Sequence, residues 1–142
     1  MKTLGPVEKS EHKLYYHLTD YHGYSHSINT NKLESLRHSG LSLTHNPNLN
    51  SILGRMHADF KFVLSNDFLD EFPANHFVHS VQEVGTSGRR RTKDLAEFEI
   101  RTKTKSIYPL NEYLVGTVLM FDIFSEKGIQ SLLYDSAAYK TS

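Results

Sequence analysis

Two glutamates separated by one residue, Glu97 and Glu99, are the side chains of this sequence best suited to chemistry. They lie in the stretch 95–103, where polar and apolar residues alternate as they do along a half-buried strand. The alternation puts both carboxylates on one strand face, about 6.5–7 Å apart. A carboxylate held on a rigid strand at a cleft stabilises a developing oxocarbenium ion, which glycosyl transfer requires. The alternative is a solvated strand face on which Arg101 pairs with Glu99.

A second set of polar side chains lies nearer the start of the chain. His17 falls inside the first predicted strand with Thr19 on the same face, and its imidazole could donate a hydrogen bond to a sugar hydroxyl. Ser42 and Thr44 alternate with two leucines, so their hydroxyls share one face of another short strand. For each of these residues the alternative is an ordinary packed or water-facing side chain.

One stretch of the sequence, 85–93, is strongly basic, and its glycines predict a loop. Its side chains Arg89, Arg90, Arg91 and Lys93 could bind the phosphates of a nucleic acid, an acidic protein surface or the pyrophosphate of a dinucleotide. The alternative is a solvated run of charge. Because 16 Lys and Arg balance 16 Asp and Glu, attraction to phosphate has to be local.

Nine histidines raise the hypothesis of a metal site. The sequence has no HExxH pattern and no cysteine, so we expect no bound metal. The glycine-rich dinucleotide motif, the phosphate loop and the serine elbow are absent as well. A phosphoesterase with paired His-x-Ser/Thr motifs is disfavoured because His17-Leu18-Thr19 has no second copy.

The rest of the pattern predicts the elements that position these residues. Alternating or apolar segments predict strands at 13–18, 41–44, 60–64, 77–81, 95–103 and 113–121. Caps and helical spacing predict helices or helical turns at 31–39, 49–56, 65–72 and 125–133. Residues 19–29, rich in Tyr, His, Ser and Gly, predict a loop. Many short strands with few helices indicate an α+β fold with a mixed or antiparallel sheet rather than a doubly wound α/β fold.

The length of 142 residues fits one domain. We expect a flexible N-terminal arm at 1–12, a single domain at 13–134 and a polar tail at 135–142. No apolar run approaches the roughly 20 residues of a membrane helix, and the start lacks an apolar stretch of secretory length. We therefore expect no membrane partner and a cytoplasmic location, with which the absence of cysteine is consistent.

The order of these motifs resembles the ADP-ribosyltransferase superfamily, in particular its small phage-encoded and DarT-type members. The similarity covers residues 13–120 and runs through LYYHLT, GLSLT, FKFVL, AEFEI and IYPLNEYLVGTVL. In those families a histidine-containing first strand, a second strand and a late "AE" strand line one NAD cleft. The resemblance implies a split mixed or antiparallel sheet with short helices, NAD as the substrate, and transfer of ADP-ribose to a host protein or nucleic acid.

The resemblance also implies a role for each candidate residue. Glu97 would hydrogen-bond a ribose 2′-hydroxyl and stabilise the cationic sugar as nicotinamide leaves. Glu99 would be a secondary carboxylate or would orient Arg101. His17 would bind the ribose hydroxyls on the nicotinamide side, and the backbone at Leu18 would hold the nicotinamide amide. The remaining pocket residues would be Thr19, Ser42, Thr44 and Arg55, the last reaching a phosphate or the acceptor.

A second hypothesis keeps the fold without the activity. Leu18 stands where many relatives have glycine, and the second motif lacks the tyrosine expected to stack on nicotinamide. The chain would then be a non-catalytic phage inhibitor that docks on a host defence or nucleic-acid-processing complex through the segments 89–93 and 19–29. A third hypothesis, a nucleic-acid-binding domain, predicts an affinity that falls steeply with salt.

Overall fold

The computed structural model describes residues 2–35, 40–48, 58–78 and 99–120. Along the chain its elements are β1 (Lys2–Pro6), β2 (Leu14–Thr19), α1 (Tyr21–Thr30), β3 (Leu33–Glu34), β4 (Ser42–Thr44), β5 (Phe60–Ser65), a 3₁₀ turn (Asn66–Asp70), β6 (Ala74–Val78), β7 (Glu99–Thr102), β8 (Ser106–Ile107), α2 (Leu110–Tyr113) and β9 (Leu114–Leu119). Within those ranges the strands form a seven-stranded sheet, ordered β1-β6-β7-β4-β2-β5-β9, and a small sheet of β3 and β8. The neighbouring strands there are antiparallel, so the predicted α+β class with an antiparallel sheet is confirmed.

The apolar runs of the sequence form the strands that they predict. The segments 13–18, 60–64 and 113–121 correspond to β2, β5 and β9, which lie side by side in the sheet. Segment 41–44 corresponds to β4, and segment 65–72 contains the 3₁₀ turn. Aromatic and β-branched residues favour such strands because they pack well on a pleated, half-buried surface.

The two faces of the seven-stranded sheet differ in chemistry. Cross-strand partners share a face, so the pairing of Tyr16 with Thr44, and of Thr44 with Glu99, puts these three side chains together. We call this the Glu99 face. By the same register it also carries Leu18, Ser42, Lys61 and Arg101. The opposite face, the core face, is apolar, and its buried side chains include Tyr15, Leu43, Phe62, Leu64 and Ile100.

The loop predicted at 19–29 is wrong, because most of this segment forms α1. Its residues have weak helix propensity, so the helix depends on its capped start and on packing. The carboxylate of Asp20 accepts a hydrogen bond from the N–H of Gly23 at 2.9 Å. The ring of Tyr24 stacks on Phe60 with centroids 4.2 Å apart. A cap and a tertiary contact thus outweigh local propensity.

The helix predicted at 31–39 is also wrong over residues 31–35, the part that the structure describes. Asn31 adopts a left-handed conformation with φ of 54° and ends α1 instead of starting a helix. Asparagine tolerates that conformation better than most residues do. Leu33 then pairs with Ile107 in the small sheet, and both side chains are fully buried.

The flexible arm predicted at 1–12 includes an edge strand instead, since β1 pairs with β6. After this strand, the N–H of Val7 donates to the carbonyl of Ala74 at 2.9 Å. Lys9 follows with its Nζ 2.8 Å from the Asp70 carboxylate. An edge strand needs backbone pairing on one side only, so a polar segment without a strong apolar pattern can supply it.

Several predicted segments lie wholly or partly outside the described residues. These are the helices at 49–56 and 125–133 and the tail at 135–142. The strands predicted at 77–81 and 95–103 are described only where they form part of β6 and β7. Over the described ranges, no helix is both long and apolar enough to cross a bilayer.

Candidate functional site

The ladder between β2 and β4 is interrupted beside the predicted histidine. These strands pair at one position, Tyr16 with Thr44. Thr102 donates its N–H to the carbonyl of Leu41, the residue before β4, at 3.0 Å. Because backbone bonding alternates along a strand, the N–H and carbonyl groups of odd-numbered residues here point toward β7, and those of even-numbered residues point toward β2. A regular ladder would next join Leu18 to Ser42, but no such pair forms. We call the gap beyond the Tyr16–Thr44 pair the split.

The side chain of His17 occupies part of the split. Its Nδ1 lies 2.9 Å from the carbonyl oxygen of Ser42, which is the acceptor that a continued ladder would have used. A carbonyl oxygen only accepts, so Nδ1 carries the proton, and Nε2 of the neutral ring is an acceptor. Burial lowers the pKa of His17, which favours this neutral form. The imidazole therefore holds the backbone of β4 in place.

The backbone of Leu18 faces the same split. Odd-numbered residues of β2 bond toward β5, as the bond from the Asn66 N–H to the Lys13 carbonyl at 3.0 Å shows. The N–H and carbonyl of Leu18 therefore point toward β4, where the described strands provide no ladder partner. This leaves one donor and one acceptor of the main chain side by side at the split.

Glu99 lies next to the split on the Glu99 face and is 3% exposed. Its Oε1 accepts a hydrogen bond from the Ser42 hydroxyl and lies 3.3 Å from Nε of Arg101. The guanidinium of Arg101 lies 4.0 Å from the ring centroid of Phe77, a cation–π contact that fixes its orientation. Arg101 and Glu99 do pair as the alternative interpretation expected, but they do so in a buried position and not on a solvated face.

Ser42 connects the histidine to the carboxylate. Its carbonyl accepts from His17 on one neighbouring strand, and its hydroxyl donates to Glu99 on the other. The structure thus places three sequence-predicted site residues on the adjacent strands β2, β4 and β7. By the alternation along β2, His17 projects from the core face and reaches the Ser42 carbonyl at the split, whereas the Ser42 hydroxyl and Glu99 lie on the Glu99 face. Hydrogen bonds of this kind restrict the positions of all three groups.

Two other predicted pocket residues have structural contacts. Thr44 is fully buried, and its Oγ1 accepts from the N–H of Asn46 at 3.1 Å, which turns the chain at the end of β4. Thr19 is buried against the first turn of α1, where a Cβ added at Gly23 would lie 1.9 Å from its Oγ1. The Thr44 hydroxyl thus has a structural role at the end of β4, and the Thr19 side chain packs closely against α1.

Lys61 is a site residue that sequence reasoning missed. It lies on the Glu99 face, opposite Leu18, and is 5% exposed. Its Nζ donates to the carbonyl of Pro47 at 2.5 Å and lies 5.7 Å from the ring centroid of Tyr16. The available signal was a single lysine within the apolar run FKFVL, which forms a central strand.

A separate cluster of histidines lies where the segment before β2 meets β6 and the end of β4. His12 and His45 stack with ring centroids 3.8 Å apart. Nε2 of His76 lies 2.9 Å from the Glu11 carboxylate. Burial, followed by the neighbouring His12, lowers the pKa of His45. In the part of the chain that is described, no three His, Asp or Glu side chains are placed to share a metal ion.

The other candidate residues lie outside the described ranges, and their assignments stay predictions. They are Arg55, Arg89, Arg90, Arg91, Lys93 and Glu97.

In comparisons with known proteins, no family model, no curated protein and no solved structure matches this chain.

Proposed function

We propose that this chain is a mono-ADP-ribosyltransferase that uses NAD as its substrate and modifies a host protein or nucleic acid. The observation that carries the proposal is the double contact of Ser42, with His17 on one side and Glu99 on the other. The three segments that resemble the NAD-cleft motifs form neighbouring strands, as one shared cleft requires. A cytoplasmic location belongs to the same proposal.

The chemistry uses the carboxylate of Glu99. The bond between ribose C1′ and the nicotinamide nitrogen breaks, and its electron pair leaves with nicotinamide. The positive charge that develops on C1′ and the ring oxygen is stabilised by a fixed negative charge nearby. A nucleophile of the acceptor then bonds to C1′ and releases its proton. Ser42 and Arg101 position the carboxylate before the reaction, so little reorganisation accompanies the charge development.

The main chain of Leu18 supports the assignment of the nicotinamide position. A carboxamide presents one N–H donor and one carbonyl acceptor, and Leu18 offers the complementary pair at the split. The Leu18 side chain projects on the Glu99 face beside Lys61. A leucine in place of glycine therefore keeps the N–H and the carbonyl at the split but leaves less room for nicotinamide to approach from that face. His17, whose Nδ1 is bonded to Ser42, would contact a ribose hydroxyl as an acceptor through Nε2.

This proposal gives a stabilising role to Glu99, whose Oε1 is held by the Ser42 hydroxyl and by Arg101. Glu97 stays the sequence prediction for the same role, and its substitution belongs in the same assay. Purified protein is incubated with NAD, and released nicotinamide is measured with and without host lysate. We expect Glu99→Gln to lower the rate by about a hundredfold or more. Because this change also breaks a buried ion pair with Arg101, it lowers the melting temperature, and rates are compared at a temperature where circular dichroism shows both proteins folded.

A matched control is Glu112→Gln, which removes an exposed carboxylate from α2. Transfer to a lysate component is followed with labelled NAD, which also identifies the acceptor. Wild-type-like rates in both Glu97→Gln and Glu99→Gln would remove the glutamates from the mechanism.

The burial of Glu99 favours one alternative, a binding protein without catalysis. A carboxylate that is 3% exposed and paired with Arg101 also occurs as a structural network. Thermal stabilisation by NAD separates the two functions, because a ligand that binds the native state raises its apparent stability. A melting temperature that stays constant up to millimolar NAD supports the binding protein.

A further inference from the structure

Lys61 is a buried cation whose contacts within the described ranges are one carbonyl and one aromatic ring. Its side chain leaves the central strand β5, passes over Tyr16 and reaches the turn after β4 at Pro47. One carbonyl and one aromatic ring use part of the capacity of an ammonium group, which has three N–H donors. An apolar side chain of similar length would pack on the same ring.

The charge of Lys61 is not balanced within the described residues. No carboxylate there forms an ion pair with Nζ, and burial lowers the pKa of Lys61. Burying a cation is costly unless a counter-ion and hydrogen bonds offset the lost hydration. An anion that enters beside Lys61 would supply that counter-ion.

The position of Lys61 relates it to the split. The ring under its ammonium belongs to Tyr16, which pairs with Thr44, which in turn pairs with Glu99. Neighbouring strands lie about 4.8 Å apart, so the backbones of Tyr16 and Glu99, two strands apart on the same face, are separated by about 10 Å. In a dinucleotide with one ribose at Glu99, the phosphates would lie at a distance from Glu99 comparable with this separation.

We propose that Lys61 binds the phosphate of a ligand that occupies the split, which under the proposed function is the pyrophosphate of NAD. The inference deepens the proposed function and rests on it for the identity of the ligand, whereas the anion site itself follows from Lys61 and its surroundings. The chemical class of ligand is a nucleoside diphosphate.

The test is calorimetric titration with ADP, which carries the pyrophosphate but no nicotinamide. Lys61→Met removes the charge and keeps the apolar stem, Lys61→Arg keeps the charge, and Lys105→Met removes an exposed lysine as a matched control. We expect Lys61→Met to weaken ADP binding by about tenfold or more, the value of one charged hydrogen bond. The arginine and control variants should bind as the wild type does, and wild-type affinity should fall with salt.

The outcomes separate this inference from the proposed function. Equal ADP binding by wild type and Lys61→Met, or no ADP binding by the wild type, overturns the inference. A wild type that binds ADP through Lys61 but releases no nicotinamide from NAD keeps the inference and refutes the transferase.

If Lys61→Met fails to fold, acetylation of the Lys61 amine in the wild type is compared with and without ADP by mass spectrometry. Protection by ADP supports the inference, and equal labelling overturns it.

Discussion

Gly23→Ala should destabilise the protein even though alanine is the better helix former. In a helix interior alanine is favoured over glycine by about 1 kcal/mol. An ideal Cβ at Gly23, however, lies 1.9 Å from Oγ1 and 3.3 Å from Cβ of the buried Thr19. Overpacking of this kind costs about 1–3 kcal/mol. The overpacking cost less the propensity gain leaves an expected fall in the free energy of unfolding of up to about 2 kcal/mol, as α1 moves away from β2.

A double-mutant cycle with Thr19 tests the cause. In the Thr19→Ala background the nearest contact of the new Cβ at position 23 is at 3.3 Å, so a shift of the helix by a few tenths of an ångström relieves it. Gly23→Ala should then be neutral or stabilising, which gives a coupling energy of about 1–2 kcal/mol. Thr19→Val keeps an atom in the place of the hydroxyl and should keep the penalty. Urea unfolding followed by circular dichroism measures each free energy, and an equal cost of Gly23→Ala in all backgrounds refutes the steric explanation.

Two further predictions concern Gly40 and His45, which flank the strand β4. Gly40→Ala should cost about 3 kcal/mol or more, because its Cβ would lie 2.0 Å from the backbone oxygen of Thr102, which cannot rotate away; an unchanged urea midpoint contradicts this. The stability of the wild type should fall as the pH drops below about 6.5, the ordinary pKa of histidine. Burial lowers the pKa of both His17 and His45 in the folded state, the latter also through His12, so the unfolded state binds more protons, and His45 accounts for part of the slope. His45→Asn should flatten that part of the stability profile, and a variant with the wild-type slope would assign the effect elsewhere.

The sequence predicted those parts of the fold that depend on local apolar pattern. The strands β2, β5 and β9 are confirmed because their apolar residues are contiguous; those of β2 and β5 pack on a common core, whereas Val115, Val118 and Leu119 of the edge strand β9 are exposed. The helix α1 was missed because it depends on the stacking of Tyr24 against Phe60, a contact between residues far apart in sequence. Asparagine favours both ends of a helix, so the sequence at Asn31 predicts a helix start as readily as a helix end, and the φ of 54° identifies it as the end of α1.

The site could be predicted as a set of residues but not as a set of contacts. His17, Ser42 and Glu99 were candidates from residue type and alternation, and the structure joins them through hydrogen bonds across three strands. Alternation assigns a face to each side chain but does not show where a ladder stops. The interruption after the Tyr16–Thr44 pair was therefore not foreseen from the residues, although the role of His17 in it follows from ordinary hydrogen-bond chemistry.

Lys61 offers a stability test that is independent of any ligand. Because burial lowers its pKa below the usual 10.5, the folded state releases the proton more easily than the unfolded state does. Stability due to this group is thus present above pH 10.5 and is lost as the pH falls through the lower folded-state pKa. Lys61→Met has no such loss, so the stability of the variant relative to the wild type should be greatest near pH 7 and should decrease toward pH 10.5. Other groups titrate in both proteins and cancel in the difference. If the difference in free energy of unfolding between Lys61→Met and the wild type stays constant between these pH values, the ammonium is as stable in the folded protein as in water. Lys61 would then not be an uncompensated cation beside the split.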